Sequence, residues 1–248
     1  MGLASEFGFI HIGPDVCIPE MLVESIRFTH PHAKIIQLTD QISPIVTGVD
    51  ETYRSRFDPG LLSEFRVRAY IDGPCSDGAL LLDTDMLVLS QIQSIEAGGA
   101  DLGICTRPAN EHYAPINSTM KFSREEKDFS RSNISIDLSF PDMDEYLLGE
   151  VMPYNSGFIY SFDRCAWIKV LGKLDDLPAV YRRWYGIQRA LPLLSEEGAL
   201  KIKELDSNLY NHTPQSLHES LSDHRILHFK GRAKSLMRPY SQQLMQNR

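Results

Sequence analysis

The 248-residue sequence has few cysteines and no long apolar run. Its four cysteines, Cys17, Cys75, Cys105 and Cys165, lie far apart without a CxxC pair, which argues against a zinc knuckle and favours reduced thiols. No apolar run approaches the ~20 residues that span a bilayer, and no basic region with a following apolar stretch opens the chain. We therefore expect no transmembrane segment, no signal peptide and a cytoplasmic location.

The sequence also lacks an excess of basic residues. Its formal net charge of −8 argues against a general nucleic-acid binder, because phosphate contacts need a basic surface. A local basic pocket for one diphosphate remains compatible with this charge. The length suffices for one large core, and no repeat or linker divides the chain, so we predict a single domain over residues 1–248.

Short apolar segments alternate with helical patterns along the chain. Strands are predicted over 7–13, 33–40, 79–90, 101–107, 150–162 and 225–231. Helices are predicted over 18–30, 61–72, 163–174 and 181–203, the last interrupted at Pro192. Residues 41–60 are predicted as a loop, residues 108–141 as a polar surface excursion or an acceptor-site lid, and residues 235–248 as a polar tail. This alternation predicts an α/β fold with an open, mostly parallel sheet covered by helices on both faces.

Two aspartates, Asp83 and Asp85, interrupt the apolar segment 79–90. On an extended segment their side chains share one face, where two carboxylates would repel each other. A divalent cation such as Mg²⁺ or Mn²⁺ resolves the repulsion, and ligands in open α/β sheets bind at the carboxyl ends of strands. The alternative is a surface turn whose aspartates accept backbone hydrogen bonds. The apolar residues on both sides favour the metal site.

A late segment, HFKGRAK, places His228, Gly231 and Lys234 at HxxGxxK spacing after a short apolar stretch. An imidazole can ligate Mn²⁺, a glycine lets the backbone approach a phosphate, and a lysine offsets diphosphate charge. The alternative is a core histidine beside a glycine turn. Together with the aspartate pair, the segment favours a site for a metal and a diphosphate.

With these motifs the chain resembles nucleotide-sugar transferases of the GT-A fold, especially glycosyltransferase family 8 and its glycogenin-like members. The resemblance implies that Asp83 and Asp85 bind a metal that bridges the donor diphosphate, with His228 as third ligand. It also implies Mn²⁺ or Mg²⁺ as cofactor and a nucleotide-diphosphate-sugar, preferably a UDP-sugar, as donor. The Pro-Trp that usually follows the lysine of the motif is Ser235-Leu236 here.

The resemblance implies further site residues. Arg66 in FRVRAYI would face the donor, with Arg68 as the competing choice. The segment PYNSGFIYS would line the donor sugar and the acceptor side through Asn155, Ser156 and Gly157. In LSEEGAL, Glu196 would keep the carboxylate role of an Asp-Gln pair that opens a helix in relatives. The alternative, a solvated helix N-terminus enriched in acidic residues, is slightly favoured at this position.

The first strand would carry the nucleotide base and ribose, through His11, Gly13 and Asp15. Residues 1–107 would then form a nucleotide-binding half, and residues 108–234 an acceptor half that completes the metal site. The expected acceptor is a saccharide, a lipid-linked group or a protein, and a homo-oligomer is compatible with the sequence.

The sequence therefore predicts a metal-dependent glycosyltransferase that moves a sugar to an acceptor hydroxyl with retention of configuration. Three alternatives stay open. A haloacid-dehalogenase-like phosphatase would use Asp83 as nucleophile, but that motif normally ends the first strand. A sugar-phosphate nucleotidyltransferase would need a glycine- and arginine-rich loop that HIGPDVCIPE lacks. A non-catalytic nucleotide-sugar binder would explain the missing Pro-Trp.

Overall fold

The computed structural model describes residues 2–58, 61–107, 122–125, 131–134 and 151–246. The strands are β1 (Glu6–His11), β2 (Lys34–Thr39), β3 (Glu51–Arg54), β4 (Ala79–Leu82), β5 (Met86–Val88), β6 (Leu102–Thr106), β7 (Phe122–Glu125), β8 (Arg131–Ile134), β9 (Tyr154–Ser161), β10 (Ile202–Leu205) and β11 (Ile226–His228). The helices are α1 (Cys17–Thr29), α2 (Leu62–Asp72), α3 (Cys165–Asp176), α4 (Val180–Arg183), α5 (Gly186–Glu196), α6 (Ser207–Tyr210) and α7 (Lys234–Gln246).

Seven strands form one sheet in the order β10-β6-β9-β4-β1-β2-β3. Neighbouring strands run parallel except β9, which is antiparallel to both β4 and β6. Strands from both predicted halves of the chain therefore alternate within one sheet. The predicted mostly parallel α/β sheet is confirmed. Two smaller sheets pair β11 with β5 and β7 with β8, in both cases antiparallel.

Apolar clusters cover both faces of the seven-stranded sheet. On one face, Val67 of α2 and Trp167 of α3 pack with Leu81, and on the other, Leu22 of α1 packs with Leu80. The two leucines are neighbours in β4, so successive side chains point to opposite faces. Because β4 is buried on both faces, its sequence is a continuous apolar run with no alternation.

Several predicted boundaries are wrong, each for a local reason. The segment 79–90 is two strands in different sheets, and the aspartate pair lies in the turn between them. Residues 51–54, predicted as loop, form the edge strand β3. Helix α5 continues through Pro192 but ends at Glu196, and strand β10 follows in what was predicted as helix. The predicted tail is largely the helix α7, which buries Met237 and Tyr240.

Every helix in the described part of the chain is too short or too polar to cross a lipid bilayer.

A buried histidine at the end of α1 gives the fold a pH dependence. His30 Nε2 accepts a hydrogen bond from the Ile92 backbone N–H at 2.9 Å, so the ring must stay neutral to keep this bond. Nδ1 lies 2.8 Å from Thr29 Oγ1, and the ring packs edge-on against Phe7. Burial lowers the pKa of His30 below its ordinary value of 6.5.

We expect the free energy of unfolding to fall as the pH drops below about 6.5, by at most ~1.4 kcal/mol per pH unit for this group. The sign follows because the unfolded chain takes up a proton there while folded His30 stays neutral. Urea unfolding at pH 7.5 and 5.5 measures the effect. The His30→Gln variant should show a smaller pH dependence, whereas the exposed control His218→Gln should match the wild type. Equal pH dependence in all three proteins would contradict the assignment.

Candidate metal centre

The turn between β4 and β5 carries the two aspartates. Strand β4 belongs to the large sheet and β5 to the small one, so the chain changes sheets at residues 83–85. Two backbone hydrogen bonds of 2.8 Å fix the turn, from Asp83 N–H to Gly157 O and from Phe229 N–H to Asp85 O. Because His228 pairs with Met86 in the small sheet, its side chain lies beside Asp85.

Asp83, Asp85 and His228 converge on one point. His228 Nε2 lies 3.2 Å from Asp85 Oδ1 and 3.9 Å from Asp83 Oδ2. One ligand atom from each of the three residues lies within 4.8 Å of the other two, so one cation can reach all three. Two carboxylates and one imidazole form a ligand set that suits Mn²⁺. The carboxylate oxygens of the same set also suit Mg²⁺. The donor set therefore fits the metal implied by the sequence motifs.

The hydrogen bonds of His228 orient its ring so that Nε2 is available as a metal ligand. The ring is buried, and Nδ1 lies 2.7 Å from Asn211 Oδ1, which can only accept a hydrogen bond. Nδ1 therefore carries the proton, and in the neutral ring the lone pair of Nε2 points at two carboxylates. That arrangement is repulsive unless a cation or a proton lies between them. An outer partner that fixes the tautomer is typical of metal-binding histidines.

Basic side chains balance the carboxylates from two sides. Arg66 Nη2 on α2 donates to Asp83 Oδ1 at 2.8 Å, and Lys234 Nζ at the start of α7 lies 3.0 Å from Asp85 Oδ2. Burial alone would raise the pKa of Asp85, but the protonated form of His228, which donates from Nε2 when no cation is bound, and Lys234 together outweigh it and hold that pKa far below its usual range. Asp85 is thus ionised at neutral pH, as a metal ligand must be.

The three candidate ligands line a cleft of about 560 Å³. This cleft also contains most of the other residues predicted from the sequence: His11, Arg66, Asn155, Ser156, Gly231 and Lys234. Gly157 adjoins it, since a Cβ there would contact the His228 ring. Gly231 adopts a φ of 53°, the left-handed region that favours glycine, and starts the turn that leads to Lys234.

Three predicted site residues do not line the cleft as described. Gly13 donates its N–H to Ser43 Oγ at 2.7 Å, and Asp15 Oδ1 accepts from Cys17 N–H at the start of α1. Glu196 is exposed at the C-terminal end of α5, not at a helix N-terminus. The predicted helix start near Glu196 is wrong because α5 begins ten residues earlier, at Gly186.

The start of α5 supplies a cleft residue that the sequence motifs did not identify. Gln188 Oε1 accepts from Arg107 Nη2 at 2.5 Å, and Gln188 Nε2 donates to Ser156 Oγ at 2.9 Å. These two bonds fix the amide in the cleft. Tyr185, just before the helix, also lines the cleft, with a φ of 55° that is rare outside glycine. No local signal in the sequence indicated Gln188, because its place in the cleft depends on contacts with Arg107 and Ser156.

Comparisons with known proteins give a result for the fold only. No protein-family model and no curated protein sequence matches the chain. Among solved structures, an active-site glutamine-to-glutamate mutant of LgtC is similar with a TM-score of 0.56 and 12% identity, covering 98% of this chain and 95% of LgtC. The galactosyltransferase LgtC in complex with donor and acceptor sugar analogues gives a TM-score of 0.55 and 14% identity, covering 97% and 94%.

The glycosyltransferase GlyE of Streptococcus pneumoniae TIGR4 is also similar, with a TM-score of 0.58 and 14% identity. The match covers 99% of this chain but only 63% of GlyE, so the chain spans less than two thirds of that protein. The resemblance to glycosyltransferases inferred from the motifs is thus confirmed at the level of the fold. The chain has the GT-A fold of these glycosyltransferases.

Proposed function

We propose that the chain is a metal-dependent glycosyltransferase of the family 8 type, which moves a sugar from a nucleotide-diphosphate-sugar to an acceptor hydroxyl. The observation that carries this proposal is the convergence of Asp83, Asp85 and His228 on one point of a cleft, in a fold shared with glycosyltransferases. A UDP-sugar is the expected donor and retention the expected outcome. The cytoplasmic location and a homo-oligomeric state stay predictions.

The metal would be held by two carboxylate oxygens and by Nε2 of His228. Bound there, Mn²⁺ or Mg²⁺ supplies positive charge opposite the two phosphates of the donor. Lys234 adds a second positive charge that can stabilise the phosphates. Its half-exposed ammonium lies at the cleft and can turn from Asp85 towards a phosphate oxygen. Arg66 keeps Asp83 in place through their 2.8 Å ion pair.

Departure of the nucleoside diphosphate leaves positive charge on the anomeric carbon of the sugar. A fixed amide oxygen can stabilise that charge. Gln188 Oε1 is a good candidate, because Arg107 and Ser156 hold its amide in one orientation within the cleft. The LgtC structure with glutamate in place of an active-site glutamine shows that a similar fold has a glutamine in its active site. We therefore propose Gln188 for the role that the motifs assigned to Glu196.

Asn155 is proposed to position the sugar. Its Oδ1 accepts a hydrogen bond from Gly157 N–H at 2.9 Å, which leaves the amide nitrogen as the donor for a sugar hydroxyl. His11 is proposed to contact the base or ribose, because its Nε2 is buried beside the cleft without a hydrogen-bond partner among the described residues. A donor that fills the cleft would supply an acceptor for an N–H at that atom.

The alternatives differ in their support. The structures of similar fold are glycosyltransferases, which does not favour the phosphatase alternative. Such a phosphatase would also need a second acidic pair later in the chain, and the available pair, Asp175 and Asp176, is exposed at the end of α3. A non-catalytic sugar-nucleotide binder would use the same cleft. Only a measurement of sugar transfer distinguishes it from a glycosyltransferase.

A thermal-shift screen of nucleotide-sugars, with Mn²⁺ and with a chelator, tests the proposal. A ligand that binds only the folded protein raises Tm, by about 5 °C or more for a chain of this size at 100 times Kd. We expect one nucleotide-sugar to raise Tm in Mn²⁺ and to lose most of this effect under chelation. If no nucleotide-sugar raises Tm in either condition, the proposal is wrong.

A further inference from the structure

A second cluster of metal-binding side chains lies outside the cleft, in the loop between α6 and β11. His212, Glu219 and His224 each offer a ligand atom, and these atoms lie within 4.8 Å of one another. None of the three lines the cleft that holds the aspartate pair. All three are half-buried, so they are fixed in place yet reachable by an ion from solvent.

The two imidazoles are arranged as a pair. The rings of His212 and His224 stack with centroids 3.8 Å apart and planes 7° apart. Two protonated rings in this arrangement would repel each other strongly. His212 Nε2 lies 2.6 Å from Glu219 Oε1, so the imidazole edge and the carboxylate already face each other. A cation that both groups ligate replaces the proton between them. Because the lone pair of an imidazole lies in its ring plane, one of the two nearly parallel rings rotates out of the stack to reach the same ion.

Outer contacts orient these side chains as they do at known metal sites. His224 Nδ1 lies 2.6 Å from the backbone oxygen of Asn208 and must donate to it, which leaves Nε2 with the lone pair. The other carboxylate oxygen of Glu219 accepts from Gln215 N–H at 2.9 Å. This backbone bond, with the neighbouring histidines, lowers the pKa of Glu219 and keeps it ionised.

We propose that His212, Glu219 and His224 form a second, structural metal site that prefers Zn²⁺. Two imidazoles and one carboxylate with water as the fourth ligand are an established zinc ligand set of catalytic centres, and the position of this cluster in a loop outside the cleft assigns it a structural role instead. The first site differs, because two carboxylates and one imidazole suit harder ions such as Mn²⁺. The difference in ligands gives each site its own metal.

The position of the second site explains what it would do. His212 O accepts from His228 N–H at 2.7 Å, and the preceding residue, Asn211, holds His228 Nδ1. A metal bound at His212 therefore fixes the segment that positions the imidazole of the first site. It also ties together a loop of 15 residues, 211–225, that contains no helix or strand. The expected role is to stabilise this loop.

Equilibrium dialysis against Zn²⁺ with metal analysis tests the proposal, and it does not depend on any glycosyltransferase activity. The Asp83→Asn/Asp85→Asn double variant removes the first site from the measurement. We expect this variant to retain one Zn²⁺ per chain and to show a rise in Tm of about 5 to 10 °C at zinc 100 times above Kd. Adding Glu219→Gln or His224→Gln should lower the zinc affinity at least about 100-fold.

His218→Gln is the matched control, because His218 is an exposed histidine of the same loop that does not belong to the cluster. It should retain zinc with unchanged affinity. Co²⁺ in place of Zn²⁺ should give the intense visible absorption of a four-coordinate ion, and this absorption should be lost in His224→Gln. Failure of the double variant to retain zinc, or equal zinc affinity in His224→Gln and His218→Gln, would overturn the proposal.

Discussion

Replacing Asp85 by asparagine is expected to lower sugar transfer about 1000-fold while the protein stays folded. The change keeps the size of the side chain but removes a charge that faces both His228 and Lys234 at 3.0 to 3.2 Å. An amide oxygen is a much weaker ligand for Mn²⁺ than a carboxylate, so the cation and its several kcal/mol of charge stabilisation are lost. A 1000-fold loss corresponds to about 4 kcal/mol.

The fold should tolerate this change because neither partner of Asp85 is left buried without a hydrogen bond. Lys234 is half-exposed and can be solvated, and His228 keeps its hydrogen bond to Asn211. The rate of transfer and the Tm without metal are the two measurements. Asp72→Asn, at an exposed aspartate on the last turn of α2, is the matched control and should behave as the wild type. If both Asp83→Asn and Asp85→Asn keep wild-type activity in the presence of a chelator, the reaction does not use a metal at this site.

Replacing Gly157 by alanine is expected to weaken Mn²⁺ binding about 100-fold. A Cβ at this position would lie 2.4 Å from His228 Cε1, 2.8 Å from His228 Nδ1 and 3.0 Å from Asn155 Oδ1. The His228 ring is buried and held by Asn211, so it can move aside only by losing that bond. The backbone cannot move freely either, because Gly157 O accepts the Asp83 N–H that fixes the aspartate turn.

Overpacking of this kind costs about 1–3 kcal/mol, so Tm should also fall by several degrees. Gly172→Ala is the matched control. Gly172 lies on the exposed side of α3, where a Cβ meets nothing within 4 Å, and alanine should raise helix stability by up to about 1 kcal/mol. Calorimetric titration with Mn²⁺ and thermal unfolding of both variants measure these effects. Unchanged Mn²⁺ affinity in Gly157→Ala would show that His228 is not a ligand.

The sequence predicted the frame of the fold because its first elements are local and regular. Strand β1, helix α1 and strand β2 each have clear apolar patterns, and glycine or proline follows the first two within two residues, at Gly13 and Pro31. The edge strand β3 was missed because its four residues, ETYR, are polar and only partly buried. The helix α7 was missed although Met237 and Tyr240 lie three residues apart, as one buried helix face requires.

The candidate site was predictable where its residues follow spaced motifs. The aspartate pair and the HxxGxxK segment led to the residues that the structure brings together. The turn between β4 and β5 was considered only as the alternative, because the buried apolar residues on both sides of the aspartates favoured a single strand. Gln188 and Asn211 were missed because their roles depend on contacts with residues far away in the chain, which no local pattern encodes.

The central claim is that a cation held by Asp83, Asp85 and His228 anchors the diphosphate of a nucleotide donor. Calorimetric titration of the protein with UDP, with Mn²⁺ and with a chelator, tests it most directly. We expect one UDP to bind per chain in Mn²⁺ and to bind at least about tenfold more weakly under chelation, a difference of about 1.4 kcal/mol or more. Equal affinity in the two conditions would contradict it.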